Sequence, residues 1–340
     1  MQFFIPDEKC YLYPWKTPSE GVLKPVTMID QEVRRFLIPQ LFNAAVKAGA
    51  AIMSVYAHKE DYDVAIRSDH TPITEADRLA HKTIRDALGT TRIPILSEEG
   101  REMRYEERQN WELYWLVDPL DGTLEFIKGN NEFTVNIALM EDRVCVCSVV
   151  YVPYFEKMYL AGRGRGAFLK EGVAVDADAA YTYEEICSGL RALPFAGNEG
   201  VVASSASGVS GICDSGADPA SGACSGVCGR GLRVGLSRSH KNAETMAFID
   251  RLRERYPDLE VVEQGSSYKF CLLAEATIDY YPRATATYEW DTAAGELILS
   301  EAGGRTDILS ADGEPQGKLR YNEEDLHNPW FVARSKFCPF

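Results

Sequence analysis

The chain has 340 residues, 45 % hydrophobic and 26 % charged, which is the composition of a soluble globular protein long enough for two subdomains. A formal net charge of −15 excludes electrostatic binding to a nucleic-acid polymer, but not a small anion met in an acidic pocket through divalent cations. Nine scattered cysteines without a metal-ligand spacing suit reduced thiols, and with no leader-like start and no apolar run of about 18 residues a cytoplasmic protein is expected, at most peripheral to the inner membrane.

Residues 1–28, carrying Pro6, Pro14, Pro18 and Pro25, read as an extended arm. Val33, Phe36, Leu37, Leu41, Ala44, Ala45, Ala48 and Ile52 recur at threes and fours, which predicts an amphipathic helix from near Asp30 to about Val55. Val64-Ala-Ile is a short strand. Thr74 with Asp77 has the form of a capping box opening a second helix to Leu88. Ile93-Pro-Ile-Leu is a short strand ending in Ser97-Glu98-Glu99. From Phe133 to Leu169 the pattern is antiparallel β, with Cys145 and Cys147 expected to point the same way into the core. Gly162-Arg-Gly-Arg-Gly could cradle a phosphate, but with no helix after it a hairpin turn is the better reading. Residues 196–231 are mostly Gly, Ser and Ala and are read as a flexible insertion. Alternating strands and helices resume from Leu232, ending in a helix opened by Trp290-Asp291 and closed by Gly303-Gly304. The division expected is residues 29–185 with the metal-binding motifs and 186–340 with the substrate loops.

The stretch that carries chemistry is Trp115 to Leu139. Four apolar residues, Tyr114 to Val117, deliver Asp118 and then Asp121, with Gly122 and Thr123 opening a helix. A Pro-Asp-Gly surface turn would look similar. An unpaired buried carboxylate costs several kcal/mol, however, so a carboxylate at the end of a buried strand points to a cation or a phosphate site. Two other segments share this grammar of an apolar run ending in acid: Leu96-Ser-Glu98-Glu99 and Glu289-Trp290-Asp291. Asp291 sits where a helix N-cap would sit, and capping is its plain alternative role. Carboxylates converging from three segments repel one another unless cations lie between them.

Asp118-Pro-Leu-Asp121-Gly-Thr123, with Glu98-Glu99 upstream and Trp290-Asp291-x-Ala-Ala-Gly downstream, resembles the inositol monophosphatase superfamily. Gly129-Asn-Asn-Glu-Phe-Thr-Val-Asn-Ile-Ala-Leu, Gly265-Ser-Ser-Tyr-Lys-Phe and Tyr281-Pro-Arg283 make the wording most similar to the bacterial 3′(2′),5′-bisphosphate nucleotidases. The resemblance implies an α/β (α+β) fold, a layered αβαβα sandwich. It also implies a Mg²⁺-dependent, lithium-sensitive phosphatase using two or three ions, which takes the 3′-phosphate from adenosine 3′,5′-bisphosphate, leaves AMP and supports sulfate assimilation. An inositol or sugar phosphatase of the same superfamily and a non-catalytic nucleotide binder remain alternatives; the oligomeric state stays open.

By the same resemblance Glu98, Asp118, Asp121, Asp291 and the Leu120 carbonyl would hold the metals. Glu99 is as much a solvated charge as a ligand. Asp69 and Thr123 match the pair that takes the proton from water, although Asp69 could equally form a turn and Thr123 cap a helix. His70 is read as a surface-loop histidine. Ser237, His240, Gly265 and Lys269 resemble substrate-contacting positions, with Arg283 a further phosphate contact. Glu98, Asp121, Gly122, Thr123 and Asp291 complete the substrate set.

Overall fold

The computed structural model describes residues 31–58, 64–66, 72–194, 231–239, 241–310 and 315–338. The proline-rich arm and the Gly/Ser/Ala-rich insertion read from the sequence therefore lie outside the described residues, apart from Gly231 at the insertion's end.

In chain order the elements are α1 (Gln31–Tyr56), β1 (Val64–Ile66), β2 (Pro72–Thr74), α2 (Glu75–Leu88), β3 (Ile95–Ser97), α3 (Tyr105–Arg108), β4 (Leu113–Asp121), α4 (Thr123–Lys128), β5 (Thr134–Glu141), β6 (Val144–Val152), β7 (Lys157–Gly162), β8 (Gly166–Glu171), α5 (Tyr183–Cys187) and β9 (Arg191–Leu193). The second half supplies β10 (Arg233–Ser237), α6 (Ala243–Arg255), β11 (Glu260–Gln264), α7 (Tyr268–Ala274), β12 (Tyr280–Arg283), α8 (Glu289–Glu301), β13 (Arg305–Leu309), β14 (Pro315–Gly317) and β15 (Phe331–Arg334).

β1 and β2 form a small two-stranded sheet; of the two large sheets, the first runs β3-β4-β5-β6-β7-β8-β9 and the second β11-β10-β12-β15-β13-β14. Arg191–Leu193, beyond the expected division at 185, is thus the last strand of the first sheet. Three apolar cores separate five layers. One joins α1 and α2 to the first sheet through Leu41, Phe42, Ile84, Trp115 and Val117. A second fills the space between the sheets around α7 and α8, with Tyr114, Leu116, Phe270, Leu297 and Phe331. The third seats α6 on the outer face of the second sheet, around Val234, Ile249 and Val332. The order helix, sheet, helix, sheet, helix is the expected αβαβα sandwich.

Strand β4 is apolar on both sides because both sides are covered: Trp115 and Val117 face the first core, Tyr114 and Leu116 the second. Contrary to expectation, α1 includes a stretch, Arg35–Tyr56, of membrane-spanning length and composition, with a mean hydropathy of 1.4. Here Leu41, Phe42, Ala45 and Ile52 are buried in the first core. Cys145 and Cys147 also depart from expectation. A register shift pairs Met140 with Cys145 but Leu139 with Cys147, so Cys145 joins the second core and Cys147 packs against the first. Among the described cysteines, Cys145 and Cys271 are buried free thiols.

The Gly162–Gly166 run is the β7–β8 hairpin turn. Its cradle of backbone N–H groups is real but is filled from within: Gly164, Arg165 and Gly166 donate to the Glu301 carboxylate at 2.9, 3.2 and 2.9 Å.

Candidate active site

The geometry begins with a bulge. Strand β4 pairs Asp118 with Asn136 and Asp121 with Thr134, so two residues of β4, Pro119 and Leu120, stand against one of β5, Val135. Pro119, which has no N–H to give the ladder, lies in that bulge. In a regular strand residues three apart face opposite sides; the extra residue resets the alternation, and both aspartates line one pocket. Asp118 is tied down by the Leu120 N–H at 3.0 Å.

Glu98 arrives from the parallel neighbour. Ser97 pairs with Val117, and the Glu98 N–H donates to the Val117 carbonyl at 3.1 Å, which carries the next residue alongside Asp118. Asp291 arrives from the first turn of α8. It is the third helical residue and not the N-cap: Tyr288 holds that position, and its N–H donates to the Asp291 carboxylate at 2.9 Å. Glu98, Asp118, Leu120, Asp121, Gly122, Thr123 and Asp291 all line the pocket, and Glu99 does not.

A hydrogen-bond chain fixes Asp121. Ser267 Oγ donates to Asn136 Oδ1 at 2.7 Å, so the 2.8 Å contact with Thr134 Oγ1 has the threonine as donor. This orients the Asn136 amide, whose Nδ2 reaches Asp121 Oδ2 at 3.4 Å, and the Ser267 N–H donates to the same oxygen at 2.5 Å. Thr134, Asn136 and Ser267 are all buried. The loop after β11 is therefore locked to the acidic end of β4.

Electrostatics fit a cation. Burial pushes the Asp118 carboxyl well above the usual range, and the charges of Glu98, Asp121 and Asp291 push it further. Burial likewise raises Asp291, with Asp121 and Glu98 adding to it. Asp121 is raised by burial, against the opposing pull of Lys269 and the Ser267 N–H. Carboxylate and carbonyl oxygens are the donor set that Mg²⁺ prefers, and a divalent ion would offset this repulsion. Among the described residues no three acidic, histidine or cysteine side chains enclose a single point; the carboxylates line the pocket walls.

Thr123 is the first residue of α4, after Gly122 at φ 90°, and its hydroxyl does not cap the helix. Its Oγ1 donates to Asp77 Oδ1 at 3.0 Å, with Leu120 O at 3.4 Å. The other Asp77 oxygen, Oδ2, accepts from Thr74 N at 2.7 Å and Thr74 Oγ1 at 2.6 Å, the capping box that opens α2. Asp69 and His70 lie outside the described residues; the carboxylate bonded to Thr123 is Asp77. A signal for it stood in the sequence. Asp77, Ala80, Ile84 and Leu88 share the buried stripe of α2, and a carboxylate on an apolar stripe needs a partner.

The opposite wall combines Ser237, Ser266, Ser267, Lys269, Tyr281 and Arg283. Ser237 ends β10, and His240 lies outside the described residues. Lys269 is 2 % exposed, and its ammonium donates to the carbonyls of Gln264 at 2.9 Å and Ser266 at 2.6 Å, 5.1 Å from the Tyr281 ring centre. Burial, and then the Arg283 charge, lower its pKa to about 7. Arg283 keeps a buried Nε without a hydrogen-bond partner among the described residues. Gly265 stands behind the pocket rather than in it. Sequence reasoning also missed a clamp. Arg238 grips Glu132 at 2.8 and 2.7 Å, and Glu132 accepts the Gly265 N–H at 2.8 Å.

The pattern of the Inositol monophosphatase family matches residues 30–329. The chain is similar to the 3′(2′),5′-bisphosphate nucleotidase CysQ of Shigella flexneri, 38 % identical over 301 residues that cover 87 % of this chain and 98 % of the relative. It is 35 % identical to CysQ of Escherichia coli K12 over 298 residues, again 87 % and 98 % of the two chains. Among solved structures it is similar to CysQ of Bacteroides thetaiotaomicron, with a TM-score of 0.68 and 38 % identity over 89 % of this chain and 98 % of that one. With that match running from α1 past Asp291, the chain belongs to the inositol monophosphatase family.

Proposed function

We propose that this pocket removes the 3′-phosphate of adenosine 3′,5′-bisphosphate, leaving AMP and phosphate. The chain is a 3′(2′),5′-bisphosphate nucleotidase, a phosphoric monoester hydrolase that acts on a small phosphorylated substrate. The observation that carries the mechanism is the Thr123–Asp77 hydrogen bond, set beside Asp118, Asp121 and Asp291 in one pocket.

Glu98, Asp118, Asp121, Asp291 and the Leu120 carbonyl would hold two or three Mg²⁺ ions. When bound, Mg²⁺ supplies the positive charge that acidifies water and screens the phosphoryl oxygens. The protein's part is to receive the proton. Thr123 gives its hydroxyl hydrogen to Asp77, which leaves its oxygen lone pairs free to accept from water. As a proton arrives at Thr123 Oγ1, the hydroxyl proton passes to Asp77 Oδ1, while the two bonds from Thr74 hold the carboxylate in place. The role first read for Asp69 thus moves to Asp77. Arg283, whose Nε has no partner among the described residues, is the phosphate contact on the far wall, which Ser237 also lines. Lys269 holds the 264–266 loop and adds positive charge from behind it.

The proposed setting is cytoplasmic sulfur metabolism, with lithium as an inhibitor. Phosphate release from adenosine 3′,5′-bisphosphate, inositol 1-phosphate and fructose 1,6-bisphosphate, compared at fixed Mg²⁺, tests the assignment. The first should be clearly preferred, and a preference for either of the others would overturn it. The complete set of four carboxylates with the Thr123–Asp77 pair speaks against a binder without turnover.

A further inference from the structure

Glu125 is a pocket residue to which the mechanism above gives no task. It lies in α4, is 2 % exposed, and lines the pocket, and its Oε1 finds no hydrogen-bond donor among the described residues. A buried carboxylate oxygen without a donor costs several kcal/mol. The neighbouring cations offset part of its charge but give it no hydrogen bond: Lys269 turns its ammonium to two carbonyls, and Arg238 grips Glu132. The surroundings are cut to admit it. A Cβ on Gly265 would stand 2.3 Å from Glu125 Cγ, and one on Gly122 would stand 3.4 Å from Oε2. The carboxylate therefore rests against Gly122, between Asp121 and Thr123 in the chain, beside the groups proposed to handle the scissile phosphate.

We infer that Glu125 is a specificity-determining residue that accepts a hydrogen bond from the ribose hydroxyl vicinal to the scissile phosphate. The inference rests on the nucleotidase reading. Oε1 is enclosed by protein; what the carboxylate lacks is a donor, and a ligand hydroxyl in the pocket delivers one when the side chain turns to meet it. On a ribose 3′-phosphate the donor nearest the reacting ester is the 2′-hydroxyl, and on a 2′-phosphate it is the 3′-hydroxyl. One acceptor next to the phosphate site therefore serves both isomers. A site built to pair a hydroxyl discriminates against the analogue without it, because its own polar group is then left unpaired.

The test compares kcat/KM for adenosine 3′,5′-bisphosphate and 2′-deoxyadenosine 3′,5′-bisphosphate in the wild type, Glu125→Gln and Glu125→Ala. Thermal melts verify that each variant is folded. The wild type should prefer the ribose substrate by about 10- to 100-fold. Glu125→Ala should lose that preference by slowing the ribose substrate alone, and Glu125→Gln, which keeps an acceptor oxygen, should recover part of it. Equal wild-type rates on the two substrates would overturn the inference. So would an equal loss on both in Glu125→Ala, or a changed Mg²⁺ requirement, since either assigns the carboxylate to the general machinery. A wild type that hydrolyses inositol 1-phosphate and neither nucleotide brings down the nucleotidase reading itself, and this inference with it.

Discussion

Along one wall of the pocket the proposed acidic groups stand on regular elements, Asp118 and Asp121 on β4, Glu98 just beyond β3 and Asp291 in the first turn of α8, with Asp77 of α2 bonded to Thr123. Along the other wall they come from strand ends, a connection and a helix start: Ser237 and Arg283, Ser266 and Ser267, and Lys269 in the first turn of α7. The first wall is rigid, acidic and aimed by backbone geometry. The second is held by side-chain ties such as Arg238 to Glu132 and Lys269 to two carbonyls. Regular elements fix where the charge sits; connections decide what else fits beside it.

Substitutions sharpen that contrast, and the acidic wall should respond most. Asp118→Asn should lower Mg²⁺-dependent turnover by about a thousandfold or more, as expected when a ligand of the catalytic ion is removed. The metal-free variant should melt no lower than the wild type, because a buried, repelled charge has been taken away. Phosphate release and thermal melts read the two effects, and near-normal turnover would refute the ligand role. Asp77→Asn should cost about 10²- to 10⁴-fold in kcat, the usual range for a general base, and should also lower the melting temperature. Asp69→Asn made in parallel should keep most of the activity; the reverse pattern would return the base to Asp69.

On the opposite wall the effects should shift from rate to binding. Arg283→Ala should raise KM for adenosine 3′,5′-bisphosphate by about tenfold or more with little change in kcat, the signature of a lost charge-assisted phosphate contact. A fall in kcat alone would move Arg283 to the acidic side of the comparison. The smallest effect concerns His81, one helical turn after Asp77, whose Nδ1 lies 3.0 Å from Ser97 Oγ. Burial, and then the Arg85 charge, hold its pKa below the usual 6.5. Just below pH 6.5 the unfolded chain therefore binds more protons at this position than the folded one, and stability rises with pH through that window. His81→Asn should flatten this slope in denaturant melts between pH 5 and 7, and an unchanged slope would place its source elsewhere.

The same division decides what could be read in advance. The main helices and strands and the carboxylates on β4 and α8 follow from periodicity and from apolar runs ending in acid, which are properties of short stretches, whereas the αβαβα layering is implied only by the family resemblance. The bulge at Pro119-Leu120 and the exchange of faces at Cys145 and Cys147 depend on register against a partner strand, which one strand's sequence does not carry. Lys269 looked like a free charge for a phosphate, yet its direction is set by carbonyls of the preceding turn. Asp77 was recognised as a cap, and the second use of its carboxylate was invisible until Thr123 came alongside.

That double use bears on how such a protein can change over generations. A group that serves chemistry alone can be lost while the chain goes on accumulating as a folded, inert binder. A group that serves only as a helix cap can be exchanged for another cap while turnover continues. The two oxygens of Asp77 join these fates: one closes the capping box of α2 and the other faces Thr123. Drift at this position lowers abundance and activity together, so an acid-to-amide change at Asp77, unlike one at Asp118, does not leave a well-folded but silent nucleotide receptor.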